Sequence, residues 1–277
     1  MAEDYDRVRP GYPALLIDAA CGIGGLGPGS RVVEVGCGTG KLTGALVERG
    51  LRVEAVDPGR ELIEIARRRV GESSARFHVA RFEDVALPDD TFEAAFSATA
   101  FHWVDPAVGW SKAARLLRPG GVLALLTYVG GLNLEPEVEL GFLAAWREVL
   151  PEAATWEARD AKAIWQGAEA RRDNVSELWA WLERREIASP EAAELFEDVT
   201  LAKVASEREA TAAEGLAFVR TTSSYLRLDP SLQKLLEQRL ASVVEDAGGT
   251  YRSTTFDTLV TARVRATPAL DTKANFS

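Results

Sequence analysis

The segment VVEVGCGTG (residues 32–40) decides the fold of this chain. Its first half is a short apolar run, which is typical of a buried strand in a parallel sheet. Its second half carries Gly36, Gly38 and Gly40, and glycines let a chain turn tightly and let backbone amides approach a ligand closely. Residues 41–49 follow with apolar side chains at helical spacing, and Gly50 ends that helix. The segment therefore predicts a strand, a glycine-rich turn and a helix.

The same alternation continues along the chain. Further strands are predicted at 52–56, 76–79, 92–97 and 122–128, with helices at 60–70 and 107–117. Strands that alternate with helices of about ten residues form right-handed βαβ units, whose parallel sheet is covered on both faces. After Gly130-Gly131, helical stretches are predicted at about 135–190, 212–222 and 231–247, and alternating strands at 196–205 and 254–264.

From this order we predict an α/β fold. It is a Rossmann-like, seven-stranded, mostly parallel sheet with an antiparallel last strand, helices on both faces and a helical lid insertion after strand five. The chain is predicted to form a single domain over 1–277. Its parts are a core at about 30–130 and 195–266, an N-terminal cap at 1–29 and the lid insertion at about 131–194.

Composition and charge exclude several classes of protein. The 277 residues are 47% hydrophobic and 27% charged, which is ordinary for a globular chain, and the formal net charge is −10. Because an acidic chain is poorly suited to binding polyanions, neither nucleic acid nor an anionic membrane is an expected partner. No apolar run reaches the roughly 18 residues of a membrane helix, and the charged start argues against a signal peptide. Two cysteines without a CxxC pair predict no disulfide framework, no metal site and a cytoplasmic location.

Three ligand-binding interpretations of the glycine-rich loop compete with a purely structural turn. A P-loop is rejected because Val35 and Leu42 replace residues that its pattern requires. A dinucleotide fingerprint would place Lys41 where a small residue is needed. The third interpretation, GxGxG preceded by an acid, fits. Asp57 favours it, because a carboxylate at the end of strand two can accept hydrogen bonds from both hydroxyls of a ribose, although capping of the next helix is a compatible role.

With these features the sequence resembles the class I S-adenosylmethionine-dependent methyltransferases. The resemblance rests on four segments in the family's order: VVEVGCGTGKLT (32–43), VEAVDP (53–58), ARFEDVALPDDTFEAAFSATAFHWVDP (80–106) and LLRPGGVLAL (116–125). The opening YDRVRPGYP (5–13) is similar to the start of small-molecule members of the trans-aconitate methyltransferase type. The resemblance implies S-adenosyl-L-methionine as the cofactor and a small molecule as the methyl acceptor.

The resemblance also implies which residues hold the cofactor. The three glycines would lie under its methionine part, Glu34 would order the loop, and Asp57 would bind the ribose. Arg81 stands where the family often has an acid, so a side-chain bond to the adenine amino group is not implied there. The residues implied to bind the cofactor are Tyr5, Arg9, Tyr12, Glu34, Gly36, Gly38, Gly40, Asp57, Pro58, Phe82, Glu83, Ser97 and Ala98. For the three N-terminal members, simple helix packing is the alternative.

His102, which follows strand four, is the candidate catalytic residue. The unperturbed pKa of histidine lies near neutrality, so the side chain can accept the proton of a hydroxyl acceptor, whereas a carboxylate acceptor needs no base. A packing histidine that shapes the loop is the alternative. The candidate substrate-binding residues are Phe101, Trp103, Tyr128, Trp165, Arg220 and Tyr225. For the aromatic members, a place in the core is the alternative.

The expected function is therefore methyl transfer to a small-molecule acceptor by in-line displacement. Oxygen, nitrogen and carbon acceptors all remain open, including a carboxylate or a hydroxyl. The alternatives are a non-catalytic protein that binds S-adenosylmethionine and another reaction that uses the same cofactor, such as cyclisation. A nicotinamide-dependent oxidoreductase is disfavoured by Lys41 and by the position of Glu34.

Overall fold

The computed structural model of the chain describes residues 11–71, 74–158 and 160–265. Within them the strands are β1 (Arg31–Val35), β2 (Arg52–Asp57), β3 (Ala75–Val79), β4 (Phe92–Ala98), β5 (Leu117–Leu132), β6 (Phe196–Thr211) and β7 (Thr250–Val264). The helices are α1 (Ala14–Gly24), α2 (Lys41–Glu48), α3 (Arg60–Val70), α4 (Pro106–Leu116), α5 (Pro136–Val149), α6 (Ala161–Glu169), α7 (Val175–Glu183), α8 (Ala192–Leu195), α9 (Ala212–Val219), α10 (Ser223–Leu226) and α11 (Pro230–Asp246). The predictions for Tyr5 and Arg9 lie outside the described residues.

The described strands form one seven-stranded sheet in the order β3-β2-β1-β4-β5-β7-β6. The first five strands are parallel: β1 lies between β2 and β4, β3 pairs with β2, and β5 pairs with β4. The strands at the centre are buried on both faces, as a parallel sheet covered by helices requires, and Val33 and Phe96 have no exposed surface. The predicted α/β fold with seven strands is confirmed.

The last strand runs against its neighbours. The Thr258 hydroxyl donates to the Thr127 carbonyl at 3.0 Å, and the Asn133 amide donates to the Thr254 hydroxyl at 2.9 Å, so residue numbers rise along β5 as they fall along β7. On the other side of β7, Thr200 and Ser206 of β6 are hydrogen-bonded to Thr261 and Thr255 of β7, respectively. The edge strand β6 is therefore also antiparallel to β7. The predicted antiparallel last strand is confirmed.

Element boundaries follow the sequence best in the first half of the chain. α3 begins and ends at the predicted residues 60 and 70, because Asp57-Pro58-Gly59 precedes it and Gly71 terminates it. The later strands are longer than predicted: β6 continues to Thr211 through the exposed polar residues 206–209, which alternation of apolar side chains cannot reveal. The predicted helical stretch at 135–190 is broken at Pro151 and again at Asn174, whose side chain caps α7.

The chain divides into two compact units. Among the described residues, the larger unit contains those within 17–126, 170–201 and 259–265, and the smaller unit contains those within 11–16, 127–169 and 202–258. The core of the smaller unit includes Leu236 and Leu240 of α11, packed with Ala145 and Val149 of α5. The partition into core, cap and lid stays a prediction. The described helices include no candidate for a membrane-spanning segment, since each is too short or too polar.

Candidate functional site

The glycine-rich loop lies between β1 and α2 in the larger unit. Gly36, Gly38 and Gly40 have φ angles of +72°, +53° and +80°, a backbone region that side chains disfavour. A Cβ on Gly36 would lie 2.2 Å from the Cβ of Ala100, and one on Gly40 would lie 2.8 Å from the Cβ of Ala66. A Cβ on Gly38 would meet no described atom within 4 Å. Packing therefore requires the first and third glycines, whereas the second leaves open space beside the backbone.

Asp57 connects this loop to the end of β2. Its carboxylate is 8% exposed, and one oxygen accepts the Gly38 amide at 2.9 Å while the other accepts the Gly59 amide at 2.7 Å. The N-cap of α3 is Gly59, so Asp57 fastens the turn before the helix instead of capping the helix itself. Each carboxylate oxygen has more than one lone pair, so these bonds leave acceptor capacity for a ligand hydroxyl.

Glu34 stabilises the glycine-rich loop by linking the strand before it to the helix after it. The side chain is buried, and its Oε2 atom accepts the hydroxyl of Thr43, in the first turn of α2, at 2.6 Å. Burial raises the pKa of Glu34 to about 7; the Thr43 bond opposes this, and the nearby charge of Asp57 adds to it. The contact ties the end of β1 to the start of α2. The role toward the cofactor loop that the resemblance implies for Glu34 stays a prediction.

The segment after β3 is anchored by Glu83. Its Oε1 atom accepts Arg81 Nη2 at 2.8 Å and the Asp105 amide at 2.9 Å. Partial burial would raise the pKa of Glu83, but these hydrogen bonds lower it to about 2. Phe82 is 3% exposed and packs into the core, and Pro58 is exposed. Glu83 therefore joins the segments after β3 and β4.

Ser97 and Ala98 close β4. The Ser97 hydroxyl is fully buried and donates to the Val35 carbonyl at 2.8 Å, so it links β4 to the end of β1. Ala98 is half-buried. The Gly36–Ala100 contact lies just beyond this link, so the structure brings together the segments that the sequence predicted to converge. Their roles toward a cofactor stay predictions.

The two aromatic residues beside His102 have different surroundings. Phe101 is 3% exposed, and its ring lies 4.8 Å from Trp110 and 6.3 Å from Phe82, so its placement favours the core role. Trp103 is 60% exposed, and the Arg185 guanidinium lies 4.4 Å from the centre of its ring. Of the pair, Trp103 is the one that presents a ring to solvent.

His102 is buried in a 3₁₀ turn at Phe101–Trp103, and its Nδ1 atom lies 2.9 Å from Oε2 of Glu183. Glu183 is the last residue of α7. Sequence reasoning missed this partner because it lies far along the chain, in a helix whose pattern marks only a packed face. The other histidine, His78 of β3, has its Nε2 atom 2.7 Å from Oε2 of Glu54.

Two predicted substrate-binding aromatics lie in the smaller unit. The ring of Tyr128 meets the edge of Phe218 at 6.0 Å. The ring of Trp165 lies 5.0 Å from Phe256, with the Lys203 ammonium 4.1 Å from its centre. Both rings are thus packed on at least one side, and their predicted contact with substrate stays a prediction.

Arg220 and Tyr225, also in the smaller unit, share one partner. Arg220 forms two hydrogen bonds of 2.8 Å to the carboxylate of Glu237, and the Tyr225 hydroxyl donates to the same carboxylate at 2.5 Å. Arg220, one of the candidate substrate-binding residues, therefore already has a carboxylate partner within the protein. Tyr12 lies just before α1 and is half-buried.

Comparison with known proteins identifies the part of the chain that holds this site. Residues 33–125 match a family model described as a methyltransferase domain. The chain contains a methyltransferase domain. The matched residues include the glycine-rich loop, Asp57 and His102, and the recognition of a class I S-adenosylmethionine-dependent methyltransferase is confirmed for them. The finer resemblance to trans-aconitate methyltransferases stays a prediction.

Relatives of the matched region include two O-methyltransferases and an uncharacterised methyltransferase. An uncharacterised methyltransferase of Mycobacterium tuberculosis is 44% identical over 124 residues, which is 44% of this chain and 48% of the relative. A malonyl-[acyl-carrier protein] O-methyltransferase of Serratia marcescens is 33% identical over 54% of this chain and 58% of its own length. A ubiquinone biosynthesis O-methyltransferase of Xanthomonas campestris is 32% identical over 58% of this chain and 63% of its own length. The matches thus span about half to three fifths of these relatives.

Solved structures support the fold over more of the chain. A proposed type II methyltransferase of Anaeromyxobacter dehalogenans has a TM-score of 0.60 and 23% identity, covering 94% of this chain and 99% of that one. The YcgJ protein of Bacillus subtilis has a TM-score of 0.51 and 16% identity, covering 91% and 97%. At these identities the likeness concerns the fold alone.

Proposed function

We propose that the chain is an S-adenosylmethionine-dependent methyltransferase that acts on a small molecule. The observation that carries the proposal is the loop of the methyltransferase domain, in which Gly38 faces open space while its amide is held by Asp57. A backbone that a ligand can approach, next to a buried carboxylate with spare acceptor capacity, suits a nucleoside with a ribose.

The residues of the larger unit fit such a cofactor. Gly36, Gly38 and Gly40 would lie along its methionine part, and Asp57 would accept its ribose hydroxyls. When bound, the cofactor supplies a methyl group on a sulfonium, whose leaving thioether needs no acid. Among the described residues no group of three or more metal-ligating side chains could hold an ion.

The protein's own contribution is orientation and the exclusion of water. Holding an acceptor in line with a reacting group can supply on the order of 7–11 kcal/mol of the barrier. A proton acceptor is needed only when the acceptor atom still carries a proton, and His102, in the turn after β4, is the candidate for that role.

A small oxygen nucleophile is a suitable class of acceptor to test first. Two of the relatives are O-methyltransferases, one of malonyl-[acyl-carrier protein] and one of ubiquinone biosynthesis. The net charge of −10 argues against a polyanionic acceptor. Because Arg220 is paired with Glu237, we give less weight to a substrate carboxylate bound by that residue.

Calorimetry with S-adenosylmethionine, S-adenosylhomocysteine and NAD tests the cofactor. We expect the two adenosyl compounds to bind and NAD not to bind. Asp57→Asn should weaken S-adenosylhomocysteine binding ten- to a hundredfold, since a hydrogen bond to a charged group is worth about 1.5–3 kcal/mol. Asp246→Asn, an exposed residue of α11, is the control and should bind normally. No binding of either adenosyl compound at millimolar concentration would refute the proposal.

Labelled methyl transfer then tests the acceptor. The panel should contain a phenol, a carboxylic acid, a malonyl thioester and an amine, each with S-adenosylmethionine labelled at the methyl group. Transfer to the phenol, the carboxylic acid or the thioester would support an oxygen acceptor among small molecules. Binding of the cofactor without transfer to any acceptor class, nitrogen compounds included, would favour the non-catalytic alternative.

A further inference from the structure

His102 and Glu183 form a buried pair within the larger unit. Their side chains are 6% and 9% exposed, and His102 Nδ1 lies 2.9 Å from Glu183 Oε2. The two residues come from different parts of the chain, a turn after β4 and the last turn of α7. The contact therefore joins the turn of the candidate proton acceptor to a helix that follows α6.

The pair is polar but incompletely bonded. Among the described residues, neither His102 Nδ1 nor Glu183 Oε1 has a partner with hydrogen-bond geometry. The 2.9 Å distance suits an N–H···O bond, but the ring N–H is not aimed at the oxygen. A buried carboxylate with an unpaired oxygen costs free energy, roughly 1–3 kcal/mol or more for a charged group. Such a pair adds little to stability, which leaves an active-site role as the better account of it.

Two neighbouring features hold the pair in place. α7 is fixed by a buried face that includes Leu178 and Trp179, neither of which has exposed surface. Next to the pair, Arg185 lies over the ring of Trp103 at 4.4 Å, which makes a second link between the end of α7 and the turn after β4. The carboxylate is thus presented to the imidazole by a rigid element.

We propose that Glu183 is a positioning residue for His102 that keeps the proton on Nδ1 and leaves Nε2 as the proton acceptor. This rests on the proposed function. Neutral imidazole has one donor and one acceptor nitrogen, and a carboxylate facing one nitrogen stabilises the tautomer in which that nitrogen carries the proton. Catalytic hydrogen bonds are often poorly aligned without a substrate and tighten in the complex, which accounts for the unaligned contact.

The proposal narrows the chemical class of the methyl acceptor. A ring held with Nε2 unprotonated can take the proton that a hydroxyl or phenol must lose as its oxygen becomes methylated. A carboxylate acceptor has no such proton and would gain nothing from the pair. The pair therefore favours a hydroxyl or phenol acceptor over a carboxylate.

The tautomer of His102 can be measured directly by nuclear magnetic resonance. The chain has two histidines, so ¹⁵N-histidine labelling gives the signals of two imidazole rings, each with two nitrogens, and His102→Asn assigns them. At alkaline pH, where imidazole is neutral, we expect His102 to be predominantly the Nδ1–H tautomer. Glu183→Ala should shift it to the Nε2–H tautomer that predominates in free histidine. Glu177→Ala, an exposed residue of the same helix, should leave the spectrum unchanged.

The result that overturns the proposal is a neutral His102 that carries its proton on Nε2 in the unaltered protein, or a tautomer that Glu183→Ala does not change. If Glu183→Ala does not fold, the spectrum of the unaltered protein still decides. S-adenosylhomocysteine affinity separates the two proposals. We expect it to be unchanged in Glu183→Ala; its loss in a folded variant would make Glu183 structural, whereas failure of the unaltered protein to bind refutes the proposed function instead.

Discussion

The unaltered protein should become less stable as the pH rises because of Glu34, and Glu34→Gln should abolish this pH dependence. The pKa of Glu34 is raised to about 7 in the folded protein, compared with an ordinary value of 4.5. Between these pH values the unfolded chain releases a proton that the folded chain keeps, so the free energy of unfolding falls with increasing pH. Because the folded pKa is the higher one, the contribution is fully present below pH 4.5 and is lost by the time the pH exceeds 7.

The size of the effect follows from the shift. One pKa unit corresponds to about 1.4 kcal/mol, so a shift of roughly 2.5 units amounts to about 3 kcal/mol. Glutamine is neutral at every pH, and its carbonyl can still accept the Thr43 hydroxyl that Glu34 accepts at 2.6 Å. The stability of the variant relative to the unaltered protein should therefore rise by about 3 kcal/mol from pH 4.5 to pH 7.5.

Urea unfolding at several pH values between 4.5 and 8.5 measures this difference. Glu48→Gln changes the same residue type at an exposed position at the end of α2 and is the matched control. Its stability difference from the unaltered protein should stay nearly constant with pH. A Glu34→Gln difference that is equally flat, or that falls as the pH rises, would refute the reasoning about this buried carboxyl.

Four further substitutions test the contacts of candidate residues within the two units, each by chemical unfolding. Gly36→Ala should lower the free energy of unfolding by roughly 2–5 kcal/mol, because the new Cβ would clash with Ala100 and the φ angle is positive. Gly38→Ala should lower it by only about 1–2 kcal/mol, through backbone strain alone. Equal losses in the two variants would contradict this reasoning. Phe101→Ala should lower the free energy of unfolding by about 3–5 kcal/mol, as expected for a core residue. A loss below about 1 kcal/mol would instead favour the predicted contact of this ring with substrate. Tyr225→Phe should cost about 1–3 kcal/mol through the lost bond to a carboxylate, and an unchanged midpoint would contradict that bond's contribution.

The alternation of strands and helices was sufficient to predict the sheet, because a parallel strand that helices cover on both faces is apolar over most of its length. β1, β2 and β4 are such strands, and their ends carry the loop residues that the sequence singled out. The outer part of β6 was not predictable in this way. Its exposed residues 206–209 are held in the sheet by pairing with β7. Backbone pairing does not require apolar side chains, so the sequence carries no signal for it.

The candidate site shows the same division between local and distant information. The glycine-rich loop and Asp57 follow local rules, because positive φ and strand ends can be inferred from neighbouring residues. The partner of His102 cannot be inferred, since Glu183 reaches it only through the packing of α7. Arg220 was a candidate ligand-binding residue, but its guanidinium donates a hydrogen bond to Glu237, which lies in another helix. This pairing too could not be inferred from the neighbouring sequence.

The contact between Gly36 and Ala100 limits how this sequence can diverge. The Cβ of Ala100 occupies the place that a side chain at position 36 would need, so any residue larger than glycine at position 36 would displace Ala100. Among descendants of this chain, position 36 should therefore retain glycine for as long as the loop keeps its turn and a side chain at position 100 keeps its place.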